Sequence, residues 1–221
     1  MFHPNDNPLE RGWVGRIEDD RMLHLAAQTL QSFFLVGGGS RVHAEYPLAD
    51  VTLVVPVQYP PTVRLFDDAG SFRFANATAV IGPNVPVAGT GLTARGRIAV
   101  VIGAGGEIGG TTALLEWHDP AEQPDVKRSD FGLVLGPVVV TPDETATASF
   151  TCRLSAGAQN VEGRPEAFSW GEALALAGHR TLLRPGDVIA GPPVVILDGV
   201  DGNVELDVDG IGTLACPLGA S

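Results

Sequence analysis

The stretch that decides the fold reads Leu183-Arg-Pro-Gly-Asp-Val-Ile-Ala-Gly-Pro-Pro193, followed ten residues later by Val204-Glu-Leu-Asp-Val-Asp-Gly-Ile-Gly-Thr-Leu214. The turn residues Pro185-Gly186 precede a short apolar run, which is typical of a strand that starts after a turn. Apolar and polar residues alternate over 204–208, which indicates a second strand with one buried face. Gly210 and Gly212 then allow a tight backbone path. The stretch predicts a fold built mainly from strands.

The composition is that of a globular protein with an acidic surface. The chain has 221 residues, which is enough for one large domain or for a small segment attached to a larger domain. Apolar residues make up 44% and charged residues 18%, so disorder is not expected. The formal net charge of -12 argues against nucleic acid or an anionic membrane as a partner. A small anionic ligand is still compatible, because a binding site depends on local charge.

No segment has the character of a membrane span or a signal peptide. The first twelve residues are polar, and no apolar run approaches the roughly 18 residues needed to cross a bilayer. We therefore expect a cytoplasmic protein. Cys152 and Cys216 lie far apart in apolar stretches without metal-type spacing, so they are predicted to be buried thiols.

The chain divides into a small N-terminal β-rich segment, 1–50, and a main domain, 51–221, with the boundary placed near 45–60. In the first part, 13–17 and 22–25 are predicted strands, and Thr29 is a predicted cap of a short helix through Leu35. In the main domain, Ser169 and Glu172 form a capping-box pattern for a helix that ends at Gly178. That helix is expected to bury Leu174 together with Leu176 or Ala177. Strands are predicted at 98–102, 133–140, 146–154, 188–190, 194–197 and 204–208. The predicted class is mixed α/β and β-dominated, with packed sheets and few short helices.

Several motifs in one order carry a family resemblance. They are Thr78-Ala-Val-Ile-Gly-Pro83, Ile98-Ala-Val-Val-Ile-Gly103, Lys127-Arg-Ser-Asp130, Leu135-Gly-Pro-Val-Val-Val-Thr-Pro-Asp-Glu144 and the C-terminal stretch quoted above. Together they resemble the fumarylacetoacetate hydrolase family. The resemblance implies a homodimer and a reaction on a small 2-oxo or β-diketo acid, often in aromatic catabolism. It also implies Mg²⁺ or Mn²⁺ held by carboxylates, which stabilises an enolate and so supports hydrolysis, decarboxylation, isomerisation or hydration.

The chain departs from the family pattern at the metal site. Where the family has Glu-x-Glu, this sequence has Arg95-Gly96-Arg97. Exchanging two acids for two bases changes the local charge by about four units, which would repel a divalent cation. We therefore predict that no metal cofactor is bound. The third family ligand corresponds to Glu116, with Asp119 as the alternative, and Glu116 is expected to form an ion pair with Arg95 or Arg97 unless it survives as a ligand.

Other family positions are only partly kept. Lys127 and Asp130 match a Lys and an Asp of the family, where the Lys would hold substrate oxygens; alternatively, Lys127 is a solvated side chain in a polar loop. Ala75 stands where the family has a Lys, and Pro192 where it has a Thr. The family's His and Glu pair that activates water has no counterpart in the segment 59–68, which contains no His.

His118 and the glycine-rich stretch 101–110 each allow two interpretations. His118 could replace the missing base near Glu116, or it could be an ordinary histidine in a polar loop. The glycines resemble a dinucleotide-binding fingerprint, but no βαβ unit follows them, so a hairpin turn is predicted instead.

Two functional hypotheses follow from these patterns. The first is a metal-free enzyme of isomerase, hydratase or decarboxylase type acting on a small keto or enol carboxylic acid. Its candidate catalytic residues are Lys127, Glu116 and His118, and its candidate substrate-binding residues are Arg95, Arg97 and Asp130. The second is a non-catalytic binding protein, or a silent subunit paired with an active homologue in a hetero-oligomer.

Overall fold

The structure, a computed structural model, describes residues 1–9, 11–145 and 150–219. The α-helices in these ranges are α1 (Leu30–Leu35), α2 (Pro142–Thr145) and α3 (Trp170–Gly178). The strands are β1 (Phe2–Pro4), β2 (Gly15–Glu18), β3 (Arg21–Leu25), β4 (Val42–Pro47), β5 (Val51–Leu53), β6 (Val63–Asp68), β7 (Ser71–Ala75), β8 (Val80–Ile81), β9 (Val87–Ala88), β10 (Leu92–Ile102), β11 (Ile108–His118), β12 (Leu133–Val140), β13 (Cys152–Ala156), β14 (Gln159–Gly163), β15 (Val188–Val200), β16 (Asn203–Val208) and β17 (Gly212–Gly219).

Two large sheets form the main body. One has seven strands in the order β7-β6-β15-β10-β11-β12-β8, and the other has five in the order β14-β13-β16-β17-β9. Their facing apolar side chains form the largest core cluster, which includes Ala94, Leu115, Leu154 and Leu206. The remaining strands make a three-stranded sheet, β2-β3-β4, and the pair β1-β5. The predicted mixed α/β, β-dominated class is confirmed.

The hairpin of β10 and β11 positions the candidate site. The glycine-rich stretch turns between these two antiparallel strands, with Gly105 and Gly106 at φ values of 69° and 82°. This left-handed backbone favours glycine, so the predicted hairpin is confirmed and the dinucleotide fingerprint is not. The register pairs Arg95 with Glu116 directly across the hairpin.

Alternation along β10 sorts its side chains onto two faces. Arg95 and Arg97 share a face with Ala99 and Val101, which belong to an apolar cluster on the side away from the five-stranded sheet. Residues of the other parity, such as Ala94, pack towards the five-stranded sheet. One face of the seven-stranded sheet is therefore apolar at one end and charged at the other.

Most predicted strands are present, with changes at their ends. The prediction 133–140 matches β12, and 204–208 lies within β16. The segments 188–190 and 194–197 are two parts of the single strand β15. The prediction 98–102 was too short, because β10 begins at Leu92 and contains both arginines instead of following them. Residues 146–149 lie outside the described residues, and the next strand, β13, begins at Cys152.

The helix caps follow the predicted residues. Thr29 and Ser32 cap α1 reciprocally, and the Ser169 hydroxyl accepts a hydrogen bond from the Glu172 amide at 3.3 Å to start α3. Of the predicted buried face of α3, Ala177 is buried and Leu174 is half-buried against the core, whereas Leu176, the alternative to Ala177, is 39% exposed.

Strand pairing and aromatic packing connect parts of the segment 2–53. Phe2 in β1 pairs with Leu53 in β5, and its ring packs edge-on to Trp13. The division at residue 50 stays a prediction. Among the described residues, no helix has the length and apolar character to span a membrane. Both cysteines are free and buried, and burial raises the pKa of the Cys152 thiol to about 11, as expected of an unreactive thiol.

Candidate functional site

Glu116 is the centre of a charged cluster on the seven-stranded sheet. Its side chain is fully buried, and its Oε2 accepts from Arg97 Nε at 2.8 Å. Arg73, from β7, contacts the other oxygen, Oε1, and Arg95 Nη1 lies 3.6 Å from that same oxygen. Because all four side chains project from one sheet face, three guanidinium groups converge on one carboxylate. The predicted ion pair between Glu116 and the arginines is present.

Arg97 uses every N–H group that it has. Besides Nε, its Nη1 donates to the backbone oxygens of Phe66 and Gly191 at 2.7 and 2.9 Å. Its Nη2 donates to Asp67 Oδ1 at 2.7 Å and lies 2.7 Å from Glu116 Oε2. These contacts account for all five donors of a guanidinium. A ligand could bind Arg97 directly only by displacing one of these partners.

Asp67 completes what we call the arginine–carboxylate cluster, which consists of Asp67, Arg73, Arg95, Arg97 and Glu116. Asp67 Oδ2 also lies 3.4 Å from Arg73 Nε. Burial raises the pKa of Asp67, but the hydrogen bond from Arg97 and the charges of Arg97 and Arg73 outweigh it, so the pKa lies below its ordinary range. In formal charges, the cluster has three positive and two negative groups.

These residues do not fit the Mg²⁺ or Mn²⁺ that the family resemblance implies. Both Glu116 oxygens face guanidinium groups, which already supply the positive charge. In the part of the chain that the structure describes, no group of three or more His, Cys, Asp or Glu side chains is arranged to hold a metal ion. A hard cation needs several oxygen ligands, and the cluster offers it two carboxylates that are already paired with arginines.

A cavity of about 490 Å³ opens beside the cluster. Its lining residues are Arg73, Phe74, Ala75, Asn76, Arg95, His118, Asp125, Val126, Arg128, Ser129 and Asp130. The Arg95 side chain is 27% exposed and makes no hydrogen bond with any other described residue. Because Arg73 and Arg97 already neutralise Glu116, Arg95 has N–H donors available to a ligand in this cavity, which we call the Arg95 cavity.

His118 lies at the end of β11 and lines the Arg95 cavity. This corrects the alternative of a histidine in a polar loop, since His118 pairs with Thr93 across the hairpin. Its Nδ1 lies 2.9 Å from the Ser129 hydroxyl. Burial lowers the pKa of His118 below its ordinary value; Arg95 lowers it further, Glu116 opposes this, and the more distant Arg128 and Arg73 add to the lowering. His118 is therefore neutral near pH 7.

Lys127 and Asp130 lie on the short 3-10 segment Asp125–Ser129 and just after it. Lys127 Nζ donates to Asp130 Oδ2 at 2.7 Å, and the Lys127 side chain is 54% exposed. Lys127 is not among the residues that line the Arg95 cavity, whereas Asp130 is. Asp130 Oδ1 is buried and has no hydrogen-bond partner within the described ranges. The structure thus brings Asp130 close to His118 and leaves Lys127 at the surface.

Comparison with known proteins identifies the fold. No model of a known protein family matches the chain, and no curated protein matches it. Among solved structures, the fumarylacetoacetate hydrolase from psychrophilic Exiguobacterium antarcticum superposes with a TM-score of 0.80 at 19% identity, covering 96% of each chain. This chain has the fumarylacetoacetate hydrolase fold. A 5-carboxymethyl-2-hydroxymuconate delta-isomerase from Mycobacterium smegmatis is similar (TM-score 0.76, 23% identity, 95% of this chain and 94% of that one). A maleylpyruvate hydrolase from Sphingobium sp. SYK-6 is also similar, with a TM-score of 0.77 at 22% identity, covering 96% of this chain and 98% of that one.

Within this fumarylacetoacetate hydrolase fold, Glu116 and not Asp119 lies with the two arginines. The Asp119 side chain instead accepts from the Ala121 amide at 2.8 Å and so stabilises a turn. The sequence comparison had left these two acids as alternatives for one family position. The register places Glu116 opposite Arg95. Its correspondence to the family ligand stays a prediction.

Sequence reasoning missed Arg73 and Asp67. In the Ser71–Ala75 strand of this fold, Arg73 stands between Phe72 and Phe74. Alternation alone puts Arg73 on the opposite face from its two aromatic neighbours, and that was the available signal. Which partner Arg73 meets depends on β6 and β7 joining the sheet beside β15, a long-range pairing that no local pattern gives.

The C-terminal stretch that indicated this fold contributes Asp187 to a second buried ion pair. Asp187 accepts from the Thr62 hydroxyl and from the Arg184 amide, each at 2.7 Å. Arg64 Nη1 lies 3.7 Å from Asp187 Oδ2, and both side chains are buried. Asp187 thereby ties the turn before β15 to the start of β6, so its role in the motif is structural.

Proposed function

We propose that this chain is a divergent member of the fumarylacetoacetate hydrolase family that binds a small keto or enol carboxylic acid in the Arg95 cavity without a metal. The proposed reaction is an isomerisation, hydration or decarboxylation, and not the hydrolysis of a carbon–carbon bond. The similar structures include an isomerase and hydrolases, which supports an enzyme of this general kind. The observation that carries the proposal is Arg95, which combines available donors with an opening to a cavity.

Arg95 is the proposed anchor for the carboxylate of the ligand. A guanidinium group can donate two parallel hydrogen bonds to a carboxylate, and a positive charge at this position also stabilises a developing enolate. Glu116 does not cancel this charge, because Arg73 and Arg97 already contact both of its oxygens. In this proposal, Arg97 and Glu116 hold Arg95 in place and do not contact the ligand.

His118 is the proposed proton-transfer residue. It lines the same cavity and is neutral near pH 7, so it can accept a proton from a carbon next to a keto group. Asp130 Oδ1, a buried acceptor without a described partner, is proposed to accept from a ligand hydroxyl. Lys127 acts indirectly in this proposal, through its ion pair with Asp130. Hydrolysis is disfavoured because it also needs an activated water, and the family's His and Glu pair is absent from 59–68.

A thermal-shift experiment tests the binding step. Oxalate, pyruvate, oxaloacetate and malonate should each be added to the wild-type protein, to Arg95→Met and to Arg21→Met. Arg21 is the matched control, since it is an arginine in an exposed ion pair with Glu45 outside the cavity. A ligand at 100 times its dissociation constant stabilises a protein by about 2.7 kcal/mol, which is a clear shift in melting temperature.

We expect at least one acid to stabilise the wild type and Arg21→Met but not Arg95→Met. A response that survives in Arg95→Met, or no response to any acid, would contradict the proposal. Calorimetric titration with Mn²⁺ and Mg²⁺ should show no saturable binding in the micromolar range, with or without the acid. Tight binding of either ion would contradict the metal-free part.

A non-catalytic protein is the second candidate. It is favoured by the contacts of Arg97 with Glu116 and Asp67, which form an internal ion network at residues where the family resemblance implies metal ligands. Such a protein would be a binding module or a silent subunit of a hetero-oligomer, whereas the enzyme hypothesis goes with a homodimer. Ligand binding without any turnover, together with co-purification of a homologue that keeps Glu-x-Glu, would favour this candidate.

A further inference from the structure

The hydrogen bond between His118 and Ser129 distinguishes the two ring nitrogens of this histidine. Nδ1 lies 2.9 Å from the Ser129 hydroxyl, and Nε2 has no hydrogen-bond partner among the residues that the structure describes. Both residues line the Arg95 cavity. A serine hydroxyl can accept from Nδ1 or donate to it, and in the tautomer in which Nδ1 donates, Nε2 carries the lone pair.

We infer that Ser129 is a positioning residue, which orients the His118 ring through Nδ1 and leaves Nε2 as the nitrogen that accepts the proton of the ligand. This inference rests on the proposed function and specifies its chemistry. Ser129 itself contacts no reacting atom in this scheme. It acts through the histidine, in the way that the hydrogen-bond partners of other functional histidines fix the ring and its tautomer.

The proton transfer balances without any further reactant. The C–H bond next to the keto group of the acid breaks, and its electron pair forms the C=C bond of an enolate whose negative charge lies on oxygen. The proton forms an N–H bond at His118 Nε2. When the proton on Nε2 is first replaced by one from water, protonation of the same carbon gives exchange with solvent. Delivery of a proton to a conjugated carbon gives an isomer.

The charged groups around His118 favour its neutral form, so a proton that it accepts is easily released. Arg95 reaches it from β10, Arg73 from β7 and Arg128 from the 3-10 segment, while Glu116 of β11 opposes them. Burial and these three cations together disfavour the imidazolium, against Glu116 and the carboxylates of Asp125 and Asp130 in the cavity lining, so the pKa of His118 is lowered and the proton is readily passed on. The guanidinium of Arg95 is then available to stabilise the enolate oxygen.

The position of Ser129 is fixed by contacts that are independent of His118. Arg128 lies 3.2 Å from Asp125, and Lys127 pairs with Asp130 on the far side of Ser129. Asn76 Nδ2 donates to the backbone oxygen of Asp130 at 2.9 Å, which ties the segment to the end of β7. Removing the Ser129 hydroxyl should therefore leave the segment in place.

The test measures how fast the methyl protons of pyruvate exchange with D₂O, followed by proton NMR as a function of pH. His118→Gln should slow exchange by roughly 100-fold or more, as expected for loss of a general base. Ser129→Ala should slow it by roughly 10- to 100-fold, the range known for removing the partner of a metal-bound histidine. In Ser129→Ala, the fall of the exchange rate on the acid side should also occur at lower pH, because an imidazolium that has lost a hydrogen-bond acceptor is easier to deprotonate. Ser129→Thr, which keeps the hydroxyl, should restore both values.

Thermal shift with pyruvate, run on the same variants, separates this inference from the function on which it rests. If pyruvate does not stabilise the wild type through Arg95, the proposed function fails. If binding is intact but the wild type shows no exchange, or Ser129→Ala exchanges with the wild-type rate and pH midpoint, the positioning role is overturned. A slower rate with an unmoved midpoint and no rescue by Ser129→Thr would overturn it too, because it would indicate a structural effect alone.

Discussion

The seven-stranded sheet contains two buried arginine–carboxylate pairs, Arg97 with Glu116 and Arg64 with Asp187, and they differ in completeness. All five N–H groups of Arg97 have acceptors. Arg64 donates to the Thr62 hydroxyl at 2.5 Å, but its buried Nε has no partner among the described residues, and its Nη1 is 3.7 Å from Asp187. Arg64 instead lies over the Phe74 ring, 5.3 Å from its centroid.

The difference shows which pair the site depends on. Asp187 has two close donors besides Arg64, so the turn before β15 keeps most of its contacts without the arginine. Among the described residues, the Glu116 side chain has only guanidinium partners, Arg73 from β7 and Arg95 and Arg97 from β10. A buried charge with no neutral donors depends on its ionic partners, because desolvation costs several kcal/mol per ion.

Removal of Glu116 should have the largest effect on stability. Glu116→Leu leaves Arg97 buried without its main counter-charge, so the free energy of unfolding should fall by about 3 to 5 kcal/mol. Urea denaturation measures this. As a control, Glu162→Leu removes a carboxylate from the exposed pair with Arg153, and should cost at most about 1 kcal/mol.

The double variant Arg97→Met/Glu116→Leu decides whether the cost comes from the unpaired charge. Replacing both partners of a buried pair by apolar residues is often close to neutral. The double variant should therefore be more stable than Glu116→Leu alone. Additive losses in the two single variants would contradict the view that Arg97 and Glu116 act as one unit.

Removal of Arg64 should have a smaller effect. Arg64→Met keeps an aliphatic side chain beside the phenylalanines and leaves Asp187 with its hydroxyl and amide donors. We expect a loss of about 1 to 3 kcal/mol, the range for leaving one buried charged group partly unsatisfied. Urea denaturation beside Arg97→Met should rank Arg97→Met as the more destabilising. The opposite ranking would show that the two pairs are not distinguished by their hydrogen bonds.

The two pairs also show how far the sequence determines the fold. Asp187 lies in a motif of turn residues followed by an apolar run, so local rules predicted the strand that begins at Val188. Local rules failed for the first half of β10, where Arg95, Gly96 and Arg97 interrupt the apolar pattern. These residues are in a strand because Glu116 and β15 pair with them from distant parts of the chain.

The site was predictable to a similar extent. The ion pairs of Glu116 with Arg95 and Arg97 could be expected, because the three residues have opposite charges and stand where the family resemblance implies metal ligands. The use of all Arg97 donors could not be expected, because two of its acceptors are the backbone oxygens of Phe66 and Gly191. Every residue has a backbone oxygen, so the sequence does not show which one accepts a hydrogen bond. Only the folded structure shows that Arg97 is internally hydrogen-bonded whereas Arg95 is not.

Asp67 provides the smallest and most specific test, because its contribution depends on pH. Its pKa in the folded protein lies below the ordinary value of about 4, so its charge stabilises the fold above that pH. This stability is lost as the pH falls through the folded pKa. Asp67→Asn should therefore cost at most about 1 kcal/mol at pH 7, since the Asp67 side chain is 54% exposed. The difference from wild type should shrink towards pH 2 to 3.

Urea denaturation at pH 7 and at pH 2.5 measures this difference. Asp6→Asn is the matched control, because Asp6 is exposed and has no ion pair with a described residue. Its effect should be close to zero at both pH values. If the loss in Asp67→Asn is the same at both, Asp67 acts through hydrogen bonding alone and its charge does not support Arg97. Arg97 would then depend on Glu116 alone for its counter-charge among the described residues, as Arg64 depends on Asp187.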